Sequence, residues 1–170
     1  MRADQARAIV EGLKEAGFDF VASLPASEVH ALQVACCDEP SMTFVTVTNE
    51  GEGVSICMGA WLTGKTPVLI METSGVLLSI YSLVRQNLTF GVPVLIISTY
   101  RGSLGEAHWY AVHTGAALEP VLDALRIPKA VVDDLAEVKP TLLAARRSMD
   151  VSLKPVCIVL GGRLTRDDAH

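Results

Sequence analysis

No apolar run in this 170-residue chain is long enough to cross a membrane as a helix. Runs such as residues 93–97 and 156–160 fall far short of the roughly 20 residues a spanning helix needs. The opening stretch, Met1-Arg2-Ala3-Asp4-Gln5-Ala6, lacks the apolar centre of a secretory signal. Basic clusters are absent too, and the net charge is −5 with a pI near 5.3, which argues against a nucleic-acid partner. The cysteines, Cys36, Cys37, Cys57 and Cys157, form no C-x-x-C pair and no zinc spacing. They read as small buried hydrophobes in a reducing compartment. The cytoplasm is therefore the expected location, and no metal site is expected on this chain. G-x-G-x-x-G does not occur, which removes the dinucleotide phosphate-loop reading. Ser74 sits in Thr73-Ser74-Gly75 rather than G-x-S-x-G, so no nucleophile elbow is present. Internal repeats and low-complexity segments are missing as well.

What the chain has is hydrophobic residues, 50% of the total, with a mean hydropathy of +0.38. Without a spanning segment, that richness points to a buried sheet and an apolar association surface. A chain of this length fits one domain, residues 1–170. Helical and strand patterns alternate along it without a linker. Helices are expected over 3–16, 27–35, 50–63, 76–88, 116–126 and 134–149. Strands are expected over 18–24, 43–47, 68–71, 92–98, 129–132 and 156–160. Residues 99–115 read as a long polar and aromatic connection, and Gly161-Gly162-Arg163 as a closing turn. About six strands alternating with helices predict an α/β fold: a doubly wound, mainly parallel sheet with helices on both faces. The strands carry little polar alternation, which fits burial on both sides.

In such a sheet the polar residues gather in the turns after the strands. These are Ser23-Leu24-Pro25-Ala26-Ser27, Thr48-Asn49-Glu50-Gly51, Glu72-Thr73-Ser74-Gly75 and Thr99-Tyr100-Arg101-Gly102. Ligands of open α/β sheets bind beyond the carboxyl ends of the strands. Glu50, closing a strand and opening a small-residue helix, is the leading acid, with Glu52 a rival of the same kind. Either would also favour a helix N-terminus simply as a first-turn carboxylate. Arg101 reads as a loop ion-pair partner or a ligand contact. His108 and His113 fall in the aromatic connection with Trp109 and Tyr110, where a lid or an interface is a further reading. His30 reads as a surface residue and His170 as a frayed end.

Taken together, the turn sequences resemble the pyrimidine-binding domain of thiamine-diphosphate enzymes, and within them the sulfopyruvate and phosphonopyruvate decarboxylase group. The residues that carry the resemblance are Ser23 to Ser27, Asn49-Glu50-Gly51 with Gly59 nine residues on, Gly64-Lys65-Thr66-Pro67-Val68 and Ser74-Gly75. They continue with the 93–97 run, Arg101-Gly102-Ser103-Leu104-Gly105-Glu106, Gly115, Val121-Leu122-Asp123-Ala124-Leu125 and Ile127-Pro128. Each match is weak alone; the ordered set spans nearly the whole chain.

The resemblance implies a cofactor, thiamine diphosphate, whose aminopyrimidine ring shares a proton with Glu50. It implies that Pro25, Thr73, Ser74 and Gly75 line the cofactor, and that Ser27, Leu78, Tyr81, Arg101, His108 and His113 face a substrate. The family's Gly-Asp-Gly with a later Asn, which holds Mg²⁺ and the diphosphate, does not occur here. A β subunit should supply that domain, in a heterotetramer or larger assembly. Leu78 and Tyr81 stand where the family has two asparagines, which makes that region more apolar. The implied activity is decarboxylation of sulfopyruvate. Phosphonopyruvate, a more apolar 2-oxo acid, a carboligation outcome and a non-catalytic subunit on the same fold stay open, as does a stand-alone domain binding a small anion.

Overall fold

The most apolar runs take the centre of the sheet and the more polar ones its edges. The computed structural model describes residues 1–165, so His170 lies outside the described residues. In chain order the elements are α1 (Ala3–Glu15), β1 (Phe20–Ser23), a 3-10 turn (Ser27–Val29), α2 (His30–Cys37), β2 (Thr43–Thr46), α3 (Glu50–Leu62) and β3 (Pro67–Ile70). They continue with α4 (Thr73–Leu78), α5 (Ile80–Ser82), a π-helical stretch (Leu83–Leu88), β4 (Leu95–Thr99), α6 (Trp109–Ala124), β5 (Lys129–Val132), α7 (Leu135–Ser152), β6 (Val156–Leu160) and α8 (Gly162–Thr165). The six strands are ordered β2-β1-β3-β4-β6-β5, and every pairing is parallel. Every residue of β1, β3, β4 and β6 is buried, whereas the edge strand β2 exposes Thr43 and Thr46.

Successive strand residues point to opposite faces, and the core divides accordingly. Val21, Val68, Ile70, Leu95, Ile97 and Ile158 pack with Ile9, Leu13, Leu32, Leu142 and Met149 of α1, α2 and α7. Ala22, Leu69, Ile96, Cys157 and Val159 pack with Val54, Cys57, Val76, Leu118 and Leu122 of α3, α4 and α6 on the other side. Each fully buried Leu or Ile contributes about 1.5–3 kcal/mol. Cys36, Cys57 and Cys157 belong to these cores, and burial pushes their thiols up to about 12. Cys37, read as buried, is exposed on the outer side of α2.

The structure corrects three boundaries. α6 begins at Trp109, so His113 lies on a helix and the connection after β4 is shorter than expected. Its buried positions Ala111, Leu118 and Leu122 have helical spacing, masked in the sequence by aromatic residues on the exposed face. The helix expected over 76–88 starts at Thr73 and is broken by α5 and the π-helical stretch. The Ser79 hydroxyl donates back to the Gly75 carbonyl at the break, a bond that bends helices. Gly162–Thr165 forms a helical turn rather than a plain turn, because Leu164 is buried and pulls it onto the core.

The strand order places the site. From β1 the chain steps out to β2, then crosses back to β3 on the other side of β1. A crevice therefore opens between β1 and β3 at the carboxyl edge, where such folds bind ligands. No helix among the described residues is long and apolar enough to cross a membrane.

Candidate active site

Two small cavities sit at that crevice and share one residue. The first, about 190 Å³, is lined by Leu24, Pro25, Ala26, Ser27, Glu50 and Glu72. The second, about 70 Å³, is lined by Glu72, Thr73, Ser74, Arg101, Tyr110, Ala111 and Thr114. A larger hollow of about 610 Å³ between α1 and α2 contains none of the carboxyl-edge residues. Size therefore does not locate the chemistry here; the convergence of polar groups does.

The loop after β1 is held rigid from beneath. Buried Gln33 donates to the Ser23 hydroxyl at 2.7 Å and to the Leu24 carbonyl at 2.6 Å, and accepts from the Ala26 amide at 3.2 Å. Ser23 in turn donates to the Ile70 carbonyl of β3 at 3.0 Å. Pro25 and Ser27 are thereby fixed as one wall of the first cavity.

Glu50 and Glu52, alike in sequence, have different fates. Asn49 caps α3 by accepting the Glu52 amide at 2.8 Å. The Glu52 carboxylate turns back to accept the Thr48 amide at 2.7 Å and the Thr48 hydroxyl at 2.6 Å, and these bonds hold its carboxyl below the usual range. It is therefore a cap. Glu50 is half-buried in the cavity wall, and its carboxyl makes no hydrogen bond or ion pair with the described residues. Gly75 makes space for it: a Cβ at that position would lie 2.5 Å from Glu50 Oε1 and 2.6 Å from its Cγ. Replacing Glu52 with Ala should lower the melting temperature by about 2–4 °C and leave any chemistry at Glu50 untouched. Thermal unfolding and an activity assay check this, and a large loss of activity would return Glu52 to contention.

Glu72 and Glu28 were not singled out from the sequence. Glu72 lines both cavities. Burial raises its pKa, the Glu28 carboxylate raises it further, Arg101 opposes and Glu50 adds to the rise. The available signal was position, since Glu72 directly follows β3 at the same edge as Glu50. Glu28 ion-pairs with Arg101, a partnership across 73 positions that no local pattern reveals.

The remaining expected residues divide. Thr73 is buried and its hydroxyl donates to the Thr99 carbonyl, tying α4 to the end of β4. Ser74 is exposed on the rim of the second cavity. Arg101 reaches that cavity, but its guanidinium forks onto Glu106 at 2.9 and 3.0 Å and also meets Glu28. This pairing drives the Glu106 carboxyl down to about 2. Gly102, at φ +73°, passes so close to α6 that a Cβ would lie 2.5 Å from the Val112 carbonyl oxygen. Leu78 and Tyr81 are 76% and 77% exposed and line neither cavity. His108 and His113 are exposed and also line neither; His108 leans on Tyr110 with ring centroids 5.3 Å apart. No group of three or more His, Cys, Asp or Glu side chains among the described residues could hold a metal ion.

Fold and site together define a candidate ligand site at the edge of a doubly wound sheet, offering the carboxyls of Glu50 and Glu72, neither of them paired among the described residues, and an apolar wall. Comparison with known proteins gives the class a family. The profile of the thiamine pyrophosphate enzyme, N-terminal TPP binding domain, matches residues 3–127, and the chain belongs to that family. It is similar to sulfopyruvate decarboxylase subunit alpha of Methanothermobacter thermautotrophicus, 32% identical over 148 residues, covering 84% of this chain and 86% of the relative. It is also similar to phosphonopyruvate decarboxylase of Streptomyces viridochromogenes, 29% identical over 141 residues, covering 82% of this chain but 36% of the relative. Among solved structures, 2-oxoglutarate:ferredoxin oxidoreductase from Magnetococcus marinus shares the fold, with a TM-score of 0.72 and 16% identity over 97% of this chain and 29% of that one.

Proposed function

We propose that this chain is the α subunit of a thiamine-diphosphate-dependent 2-oxo acid decarboxylase acting on sulfopyruvate. The observation that carries the reading is Glu50: a carboxyl without a protein partner, facing a cavity at the sheet's switch point, with Gly75 cut back to admit it. The residues fit the cofactor's aminopyrimidine end. Leu24 and Pro25 offer an apolar face to a flat ring, and Glu50 offers a proton-sharing partner to a ring nitrogen.

When bound, the cofactor supplies the electron sink that decarboxylation of a 2-oxo acid needs. This chain's residues orient it and control a proton. Glu50 holds and releases a proton at the ring nitrogen. Gln33, through Ser23 and the Leu24 carbonyl, keeps the Pro25 wall still. Thr73, bonded to the Thr99 carbonyl, fixes the start of α4 and hence Gly75 beneath Glu50.

The domain organisation belongs to the same proposal. Residues 1–170 form the pyrimidine-binding half, and a β subunit brings Mg²⁺ and the diphosphate site. Exposed Leu62, Leu78, Tyr81, Trp109 and Tyr110 supply apolar surface for such an assembly. Four free cysteines suit a cytoplasmic setting.

A second reading of the substrate rests on Arg101. Its charge is already met by Glu106 and Glu28, which leaves little for a sulfonate and favours a 2-oxo acid with a neutral side chain. Calorimetric titration of thiamine diphosphate with Mg²⁺ tests the assignment. Uptake is expected only when the partner chain is present, and an assembly that takes up none would overturn it. Comparing sulfopyruvate with pyruvate as substrates separates the two readings.

A further inference from the structure

Decarboxylation of a 2-oxo acid to an aldehyde consumes a proton. CO₂ leaves, and the carbon that carried it must gain hydrogen before the aldehyde can depart. Building on the function proposed above, the question is which group of this chain could give that proton.

The carboxyl groups around the two cavities have distinct fates. Glu106 accepts both arms of Arg101 and the amides of Gly102 and His108, and it is held far into its ionised form. Glu28 is bound to Arg101. Glu50 lies against Gly75 and serves the cofactor ring. Glu72 alone lines both cavities, and its carboxyl makes no hydrogen bond or ion pair with the described residues.

We propose that Glu72 is the proton donor of the second half of the reaction. Its carboxyl O–H forms the new C–H bond at the carbon that has lost CO₂, and the carboxylate left behind takes a proton from water. No electrons are gained or lost in that step. The charged groups that face Glu72 are Glu28, Arg101 and Glu50, with the Tyr110 phenol on the same cavity wall. Burial and then the Glu28 carboxylate keep Glu72 protonated to higher pH than an ordinary glutamate. Proton delivery should therefore fail as pH rises through this raised pKa, giving the alkaline limb of the rate profile.

The test uses Glu72→Gln in the complete assembly with its partner chain, thiamine diphosphate and Mg²⁺. The substrate is sulfopyruvate, or pyruvate if that is turned over faster. Aldehyde formation should fall roughly 10²- to 10⁴-fold, with cofactor uptake by calorimetry unchanged. A dichlorophenolindophenol dye, which takes two electrons from the decarboxylated carbon and diverts the product to the carboxylic acid, bypasses the proton donor. Dye reduction should stay within about threefold of the unmodified enzyme, and the alkaline limb of aldehyde formation should disappear. Normal cofactor uptake with both rates falling together, or with neither falling, would overturn the role of Glu72 and leave the function standing. An unmodified assembly that takes up no cofactor would overturn both.

Discussion

Replacing Glu50 with Gln should lower kcat of the assembled enzyme roughly 10²- to 10⁴-fold, the usual contribution of a positioned acid–base group. Gln has nearly the same shape, so it fits against Gly75 where a larger change would not. Glu50 makes no hydrogen bond that the fold depends on, and its loss removes only a first-turn carboxylate from α3, worth about 0.3–2 kcal/mol. The assembly should therefore form, and cofactor uptake should be close to normal. A fall in kcat with little change in KM is the signature of an interaction needed in the transition state rather than in binding. Steady-state kinetics beside calorimetric uptake checks this, and near-normal turnover would remove Glu50 from the chemistry. The Glu52→Ala protein is the internal control. It shares Glu50's charge and helix turn but spends its carboxylate on Thr48.

That contrast shows how far the sequence could be read. Apolar runs without polar alternation gave the strands, and the switch from strand to helix patterns gave the parallel order. Glu50 stood out in the sequence because it ends one pattern and begins the other. Its preference over Glu52 rested on a family resemblance; the structure adds that Thr48 occupies the Glu52 carboxylate. Glu72 was harder. Its meaning depends on the loops after β1 and β3 lying side by side, which follows from the strand order and not from any local spacing. Leu78 and Tyr81 sit in the helix after β3, which was expected to be continuous over 76–88; it starts at Thr73 and breaks at Ser79, and both side chains are exposed and line neither cavity. His113 moved for a related reason: the aromatic residues that suggested a loop are the exposed face of α6.

Arg101→Ala should be the most destabilising single change near the site, at about 3–5 kcal/mol, the cost of stranding one partner of a buried ion pair. The Arg101 side chain is 11% exposed and that of Glu106 5%. Without the guanidinium, the Glu106 carboxylate keeps the Gly102 and His108 amides and the His108 ring, whose Nδ1 lies 3.4 Å away, and Glu28 loses its partner. Lys should not rescue the loss, because an ammonium cannot fork onto both Glu106 oxygens while also meeting Glu28. The pH dependence has a definite sign. Glu106 sits at about 2 against an ordinary 4.5, so its contribution is full above about 4.5 and disappears as pH falls toward 2. The unmodified protein should lose stability across that window, and the Arg101→Ala protein should lose much less there. At neutral pH its melting temperature should fall by about 10 °C. If the segment opens locally instead, amide exchange at Gly102 and His108 should quicken while the strands stay protected. Both outcomes place the Arg101–Glu106 fork as the clasp between β4 and α6, and so as the support of the wall that Glu72 shares with Tyr110. A melting temperature within about 2 °C of the unmodified protein, with those amides still protected, would show that the clasp holds nothing.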